Sequence, residues 1–310
     1  MNGADKQGKI LRFAHNFMPG LEVFTHYDRS WLRSDLGAGL SVAAIALPVG
    51  IAYADLAGVP AVFGMYSAIF PLLAYALFGS SRQLMTGPDA ATCIIVAASL
   101  GPLAGGDPGR YLALMVVLTL MTGILYVAAG YARLGFIANF LSLPILTGYL
   151  NGIALVSFTS GVLTAKSFAR RNRYEIDANQ ELIAFGACNI ASGLAQGFPV
   201  TGADSRTAVN NAMGGKTQLV GVVAAGSMLL VLFFLTQPLG YVPTAALAAV
   251  IMVSAVGLFD FAELRSLYEI THRELLLSAG TTLGVLILGV LPGVLLAVAL
   301  SLFWLLTVVS

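Results

Sequence analysis

Seven apolar runs, each close to the length that crosses a lipid bilayer, dominate this 310-residue sequence. They cover residues 36–57, 61–79, 110–131, 217–235, 243–259, 275–291 and 294–309. A helix needs roughly 20 mostly apolar residues to span the hydrocarbon, so a water-soluble fold is excluded. Three further stretches, 84–104, 136–162 and 182–198, are apolar but interrupted. With a short element after Thr201, the pattern predicts an all-α polytopic membrane protein of about eleven segments. Hydrophobic residues make up 58% of the chain and charged ones only 10%, far from the balance of a soluble domain. The partner this composition requires is the lipid bilayer. A net charge of +1 gives no reason to expect a nucleic-acid partner.

Two of the interruptions carry the same phrase, Thr-Gly-x-Asp-x-x-Thr. The first copy is Thr86-Gly87-Pro88-Asp89-Ala90-Ala91-Thr92, and the second is Thr201-Gly202-Ala203-Asp204-Ser205-Arg206-Thr207. Matching breaks in two halves of a membrane protein point to a transporter's central binding site. There, short helices start inside the bilayer and aim free N–H groups at a bound anion. The competing reading is a pair of ordinary loop-to-helix turns in a chain rich in Gly and Ala.

Charge places the loops. The N-terminal segment 1–33 carries Lys6, Lys9, Arg12, Arg29 and Arg33 and marks the cytoplasmic side. It lacks the pattern of a cleaved signal peptide. Alternation then puts the Ala57–Pro60 turn outside, Arg82 inside, the Asp107–Arg110 turn outside and Arg133 inside. The cluster Lys166, Arg170, Arg171 and Arg173 should also be inside, yet residues 136–162 suffice for one crossing, at about 1.5 Å per residue. Either this stretch is a re-entrant hairpin broken at Pro144 or Asn151-Gly152, or an odd number of spans is absent; the count favours absence. Beyond the cluster the alternation recovers, with Lys216, Arg265, His272 and Arg273 inside and the 237–243 and 291–293 turns outside. Glu175, Asp177 and Glu181 read as a solvated loop opening the next helix. Cys93 and Cys188 read as buried free thiols. His15, His26 and His272 fall outside the spans, so neither a histidine metal site nor any other metal or cofactor is expected. The chain ends directly after its last span, so no soluble C-terminal domain is expected.

Several longer motifs resemble the sulfate permease (SulP) family of anion transporters. They are Ala46-Leu47-Pro48-Val49-Gly50-Ile51-Ala52-Tyr53-Ala54, Val62-Phe63-Gly64-Met65-Tyr66-Ser67-Ala68, Gly79-Ser80-Ser81-Arg82-Gln83, Gly87–Thr92, and Pro199–Gly202 with Ser205–Asn210. The resemblance runs from about Trp31 to Ser310. It implies two inverted repeats of seven segments, with half-helices three and ten meeting at an anion site near the midplane. Here the fold is reduced to about eleven segments in one transmembrane domain, 34–310, with a first repeat of about 34–152 and a second of about 153–310. Leu146–Gly152 looks like the family's fifth span, and Ala154–Ala169 looks like its eighth. About three spans would therefore be missing near 150–155. Ser160 stands where the family usually has an acid, the family's C-terminal STAS domain is absent, and Val49 replaces a polar residue.

The function implied is secondary transport of a small inorganic anion (sulfate, bicarbonate or chloride) by alternating access, not enzymatic catalysis. H+ or Na+ is the coupling ion such a site would use, the plasma (inner) membrane is the expected location, and a homodimer is compatible with the family. The candidate substrate-binding residues are Tyr53, Asp89, Ala90, Ala91, Thr92, Ala203, Asp204, Ser205 and Arg206. Arg206 would add a full positive charge beside two helix N-termini; alternatively it is a packing ion pair with Asp204 or Asp89. Ser205 and Thr92 offer hydroxyls, or else cap their helices. Ala90, Ala91 and Ala203 let backbone approach the ligand. Tyr53 either donates its phenol to the site or packs in the core. Asp89 and Asp204 read first as helix-start caps, and second as proton carriers coupled to the anion. Three rival functions remain: an inactive internal-deletion form, a nucleobase permease, and an intramembrane aspartyl protease using Asp89 and Asp204.

Overall fold

The computed structural model describes residues 18–20, 27–136 and 172–234, together with 161, 162, 164–166, 168 and 169. The expected spans at 243–259, 275–291 and 294–309 lie outside the described residues. So do Ser160, Pro144, Asn151-Gly152, Arg170, Arg171, the three histidines and the N-terminal residues to 17. A 3-10 turn, Arg29–Trp31, opens into helix α1, Leu32–Leu56. Helix α2 covers Ala61–Phe78, strand β1 Thr86–Gly87, α3 Ala90–Ala104 and α4 Pro108–Tyr131. Helix α5 covers Ala178–Leu194, β2 Thr201–Gly202, α6 Asp204–Ala212 and α7 Leu219–Phe234.

Three of these helices, α1 with its leading turn, α2 and α4, are long and apolar enough to cross a membrane. The outward faces of α1, α4 and α7 are apolar as well: Leu40, Met121, Ile124, Leu125 and Phe233 are exposed. Lipid is the solvent that makes such a surface favourable. The two interrupted stretches start their regular structure at places the sequence did not fix. In 84–104 the helix begins only at Ala90, and 182–198 divides into α5 and an extended segment leading to β2.

Close helix contacts rest on glycine. On α4, Gly123 and Gly130 face α5; on α5, Gly186 and Gly193 face α4. A Cβ on Gly186 would stand 2.8 Å from the Gly123 carbonyl oxygen, and one on Gly123 would stand 2.9 Å from the Gly186 oxygen. The seven-residue spacing on both helices keeps these glycines along one seam. Helices α1 and α2 approach similarly, with the Gly50 oxygen against Gly64. The packing of apolar side chains continues around Tyr75, Tyr126, Leu182 and Phe185, which are buried between α2, α4 and α5.

The charge-derived sides of the loops agree with this packing. Trp31, Arg82, Arg173 and Lys216 line one pocket, so the turns expected inside share one face. The Gly135 N–H donates to Asn179 Oδ1 at 2.9 Å, bringing the Arg133 turn to the start of α5 beside them. At the other end of α1, the Tyr111 hydroxyl donates to the Ala57 carbonyl at 2.5 Å and joins the two turns expected outside.

Glu181 corrects the reading of a solvated acidic loop. Asp177 does cap α5, accepting from the Asn179 and Gln180 N–H groups. Glu181, one turn on, is fully buried and accepts from Tyr75 Oη at 2.6 Å, Ser80 N at 3.0 Å, Ser80 Oγ at 2.7 Å and Ser81 N at 3.1 Å. A carboxylate taken from water is held by four donors, which is what lets it stay there. Asp35 does the same for the chain entering α7, accepting from Lys216 N, Thr217 Oγ1 and Tyr27 Oη.

Two substitutions test this framework. Gly186→Leu should force α4 and α5 apart, since overpacking costs about 1–3 kcal/mol, and should lower the melting temperature in detergent; an unchanged melt would contradict the close approach. Glu181→Ala leaves four donors without an acceptor and should cost about 3 kcal/mol or more, with Glu181→Gln intermediate on the same thermal assay.

Candidate functional site

The two copies of the repeated phrase are hydrogen-bonded to each other. Strand β1 pairs antiparallel with β2, Thr86 opposite Gly202 and Gly87 opposite Thr201. The ladder continues where the Ala203 N–H donates to the Met85 carbonyl at 2.8 Å. Because the pairing is antiparallel, the chains leave it at opposite ends, and each at once begins a helix. Helix α3 has 15 residues and α6 has 9, about 22 and 13 Å at 1.5 Å per residue. Neither spans a hydrocarbon core of roughly 30 Å. Both start at the ladder.

The two starts differ by one residue. Asp89 is the N-cap of α3, and its carboxylate accepts from the Thr92 N–H at 3.2 Å and the Thr92 hydroxyl at 3.4 Å. In the second copy the N-cap is Ala203, with no side-chain cap, and Asp204 is already the first helical residue. Reading both aspartates as caps is therefore right for Asp89 and wrong for Asp204. Asp204 is exposed, and its Oδ1 instead accepts from the Thr164 hydroxyl. As a result, among the described residues, the N–H groups of Ala90 and Ala91 on α3 and of Asp204, Ser205 and Arg206 on α6 have no acceptor. Each helix start also carries about half a positive charge from its dipole.

Arg206 is 1% exposed. Its Nη2 donates to the Pro88 carbonyl at 2.6 Å, bridging from α6 across the ladder to the first copy. Its Nε and Nη1 are buried with no hydrogen-bond partner. Among the described residues no hydrogen bond or ion pair joins Arg206 to Asp89 or Asp204; its hydrogen bond goes to backbone, and Asp89 acts on it electrostatically without contact. Gly87, with φ 151°, makes room for the guanidinium; a Cβ there would fall against Arg206 Nη1. Tyr53 is 8% exposed and packs with Cys93, Val96 and Phe198, near enough to act electrostatically on Arg206. Ala91 and Ser205 are exposed, Ala90 is half-buried and Thr92 is buried.

Other residues hold the site together; Ser67 and Thr207 fall within the motifs quoted above, and Asn189 does not. Thr207 Oγ1 accepts from the Met85 N–H and donates to the Ala203 carbonyl. Asn189 brackets Val200 with two bonds of 3.0 Å, and the Ser67 hydroxyl accepts from the Phe198 N–H at 2.9 Å. Cys188, buried and free as expected, turns its thiol to the Pro71 carbonyl. Among the described residues, no cluster of side chains suited to a metal ion occurs.

The Sulfate permease family model matches residues 32–162 and 152–281. This chain belongs to the sulfate permease family. A probable sulfate transporter of Mycobacterium tuberculosis (strain CDC 1551) is 36% identical over 406 aligned positions, covering 93% of this chain and 72% of the relative. A probable sulfate transporter 3.3 of Arabidopsis thaliana is 25% identical, covering 97% and 69%. Among solved structures, the murine Solute Carrier 26 family member A9 anion transporter in an inward-facing state superposes with a TM-score of 0.79. It is 19% identical, with 96% of this chain and 72% of that one covered. The transmembrane domain of a cyanobacterial bicarbonate transporter superposes with a TM-score of 0.74 at 18% identity, covering 89% and 97%. Sulfate permease members are multi-pass membrane transport proteins rather than enzymes, and the fold is the inverted-repeat transporter fold.

Gly87→Ala tests the geometry. It places a side chain on a backbone conformation that L-residues rarely adopt and drives it against Arg206. The variant should lose about 1–3 kcal/mol of stability, read as a lower melting temperature. The equivalent Gly101→Ala, where a Cβ meets nothing within 4 Å, should melt like the parent.

Proposed function

We propose that this chain moves a small inorganic anion, of the sulfate, bicarbonate or chloride class, through a site between the N-termini of α3 and α6. The observation that carries the reading is the buried Arg206 guanidinium, with Nε and Nη1 unpartnered beside five acceptor-free N–H groups. A cation and two helix starts gathered inside a membrane are costly unless an anion or a carboxylate answers them. An anion there would take N–H donors from Ala90, Ala91, Asp204 and Ser205 and a hydroxyl from Ser205. Tyr53 and Ala203 line its surroundings. Thr92 and Asp89 fix the α3 start through their mutual bonds, and Asp204 is the carboxylate placed to exchange a coupling H+ or Na+. Alternating access would move the core that carries α3 and α6, one from each repeat (about 34–152 and about 153–310), against a scaffold bundle, in a plasma-membrane protein whose N-terminus is cytoplasmic. The names of relatives in mycobacteria and plants favour sulfate, and a bacterial structural neighbour handles bicarbonate.

A second reading keeps the site and loses the transport. The family matches overlap at residues 152–162, so the same residues fit two parts of the family model. The mycobacterial relative aligns over 406 positions, more than the 310 residues of this chain. Spans absent around 150–155, as the charge count favours, would leave anion binding without a complete scaffold.

One pair of measurements separates the two. Sulfate binding to the purified protein and labelled sulfate or bicarbonate uptake into proteoliposomes are compared for the parent and Arg206→Ala. Binding should weaken by about tenfold or more in the variant, the range expected for losing a charged hydrogen-bond donor. Uptake that falls with it supports transport. Binding without any uptake supports the deletion form, and parent-like binding by Arg206→Ala overturns both.

A further inference from the structure

Both copies of the repeated phrase carry the spacing Asp-x-x-Thr, yet only one aspartate caps its helix. Asp89 Oδ2 accepts from the Thr92 N–H at 3.2 Å and from the Thr92 hydroxyl at 3.4 Å. A carboxylate in that place spends the positive end of the helix dipole on the protein itself. The matching bond in the second copy would run from the Thr207 N–H to the Asp204 carboxylate. Instead the Thr207 N–H donates to the Ala203 carbonyl at 2.9 Å, and Asp204 is the first residue of α6 rather than its cap. The shared spacing does not explain the difference.

A third segment explains it. Residues 161, 162 and 164–166 are helical, and their backbone passes close to β2. A Cβ on Gly161 would stand 3.1 Å from the Gly202 nitrogen, and one on Gly202 would stand 2.7 Å from the Gly161 Cα. Val162 and Ala165, one helical turn apart, are buried with Leu182 and Phe185, which sets how the segment is rotated. Thr164 is itself buried, and its hydroxyl donates to Asp204 Oδ1. Among the described residues, the Asp89 carboxylate bonds only within its own helix start.

We infer that Thr164 is a positioning residue for the anion site: its hydroxyl holds the Asp204 carboxylate off the start of α6 and keeps that start open to an anion. The inference rests on the site between α3 and α6 proposed above. Freed from Thr164, Asp204 takes the N-cap place that Asp89 occupies in the first copy, and α6 begins one residue later. The Asp204 N–H then leaves the set of free donors, and a carboxylate charge stands against those of Ser205 and Arg206. An incoming anion has to displace that charge before it gains the helix dipole. Thr164 thus makes the second start the receptive one, while Asp89 closes the first.

The test titrates the purified full chain with sulfate, bicarbonate and chloride and follows each variant's melting temperature. Thr164→Val keeps the side-chain shape and removes the hydroxyl. It should weaken binding of the anion that the parent takes by about tenfold, while melting no lower than the parent because a cap is gained. Thr164→Ser retains a hydroxyl and should recover most of the affinity. Asp204→Ala added to Thr164→Val removes the competing carboxylate and should bring binding back to within about threefold of the parent. A hydroxyl that touched the anion directly, or one that only supported the fold, would leave the double variant as weak as Thr164→Val. Parent-like binding by Thr164→Val, or a double variant no tighter than Thr164→Val, would overturn the inference and leave the site itself standing. Absence of saturable binding of all three anions by the parent would remove the site and this inference with it.

Discussion

Inside hydrocarbon, every backbone N–H and C=O must find a partner within the protein. The structure meets that requirement around two short extended segments, 79–89 and 195–203, and much of its packing follows from them. The β1–β2 ladder pairs them with each other. Side chains satisfy the remainder: Glu181 holds Ser80 and Ser81, Gln218 holds the Ser81 and Leu84 carbonyls, Asn210 holds Gln83, Thr207 holds Met85, and Asn189 holds Val200. All of these partners except Asn189 and Val200 lie a hundred or more residues apart in sequence. The glycine seams that bring α4 against α5 and α1 against α2 let the polar side chains reach.

What the ladder leaves unsatisfied is as informative as what it pairs. The chain breaks helix geometry twice so that two short helices can start at depth, and then leaves their first N–H groups without acceptors. The one-residue offset between the copies gives the two starts different work. Asp89 closes one N–H of α3, whereas α6 presents its first three with only Arg206 behind them. The second start is the more cationic, and the guanidinium on Pro88 also locks it to the first.

The sequence carried the membrane class, the repeated phrase and which turns share a face, because each depends on local features: run length, spacing and basic residues. The same reasoning failed at Glu181. A carboxylate in a polar stretch looks the same whether it is solvated or buried, and the donors that bury Glu181 lie about a hundred positions away at Tyr75, Ser80 and Ser81. Nor could a seven-letter match reveal that one helix begins a residue earlier than the other. That offset depends on whether Thr164, on another segment, holds Asp204. The break in charge alternation between Arg133 and Lys166 is legible because topology is arithmetic, and it falls beside the overlap of the two family matches at 152–162.

Selenate, a heavier analogue of sulfate, gives the most direct test of an anion held between the two helix starts. An anomalous-difference map of crystals grown with selenate should show one selenium peak, placed so that the oxygens around it reach hydrogen-bond distance of the backbone nitrogens of Ala90, Ala91 or Ser205. A map with no peak at the ladder, or with selenate only on the surface, would contradict the account.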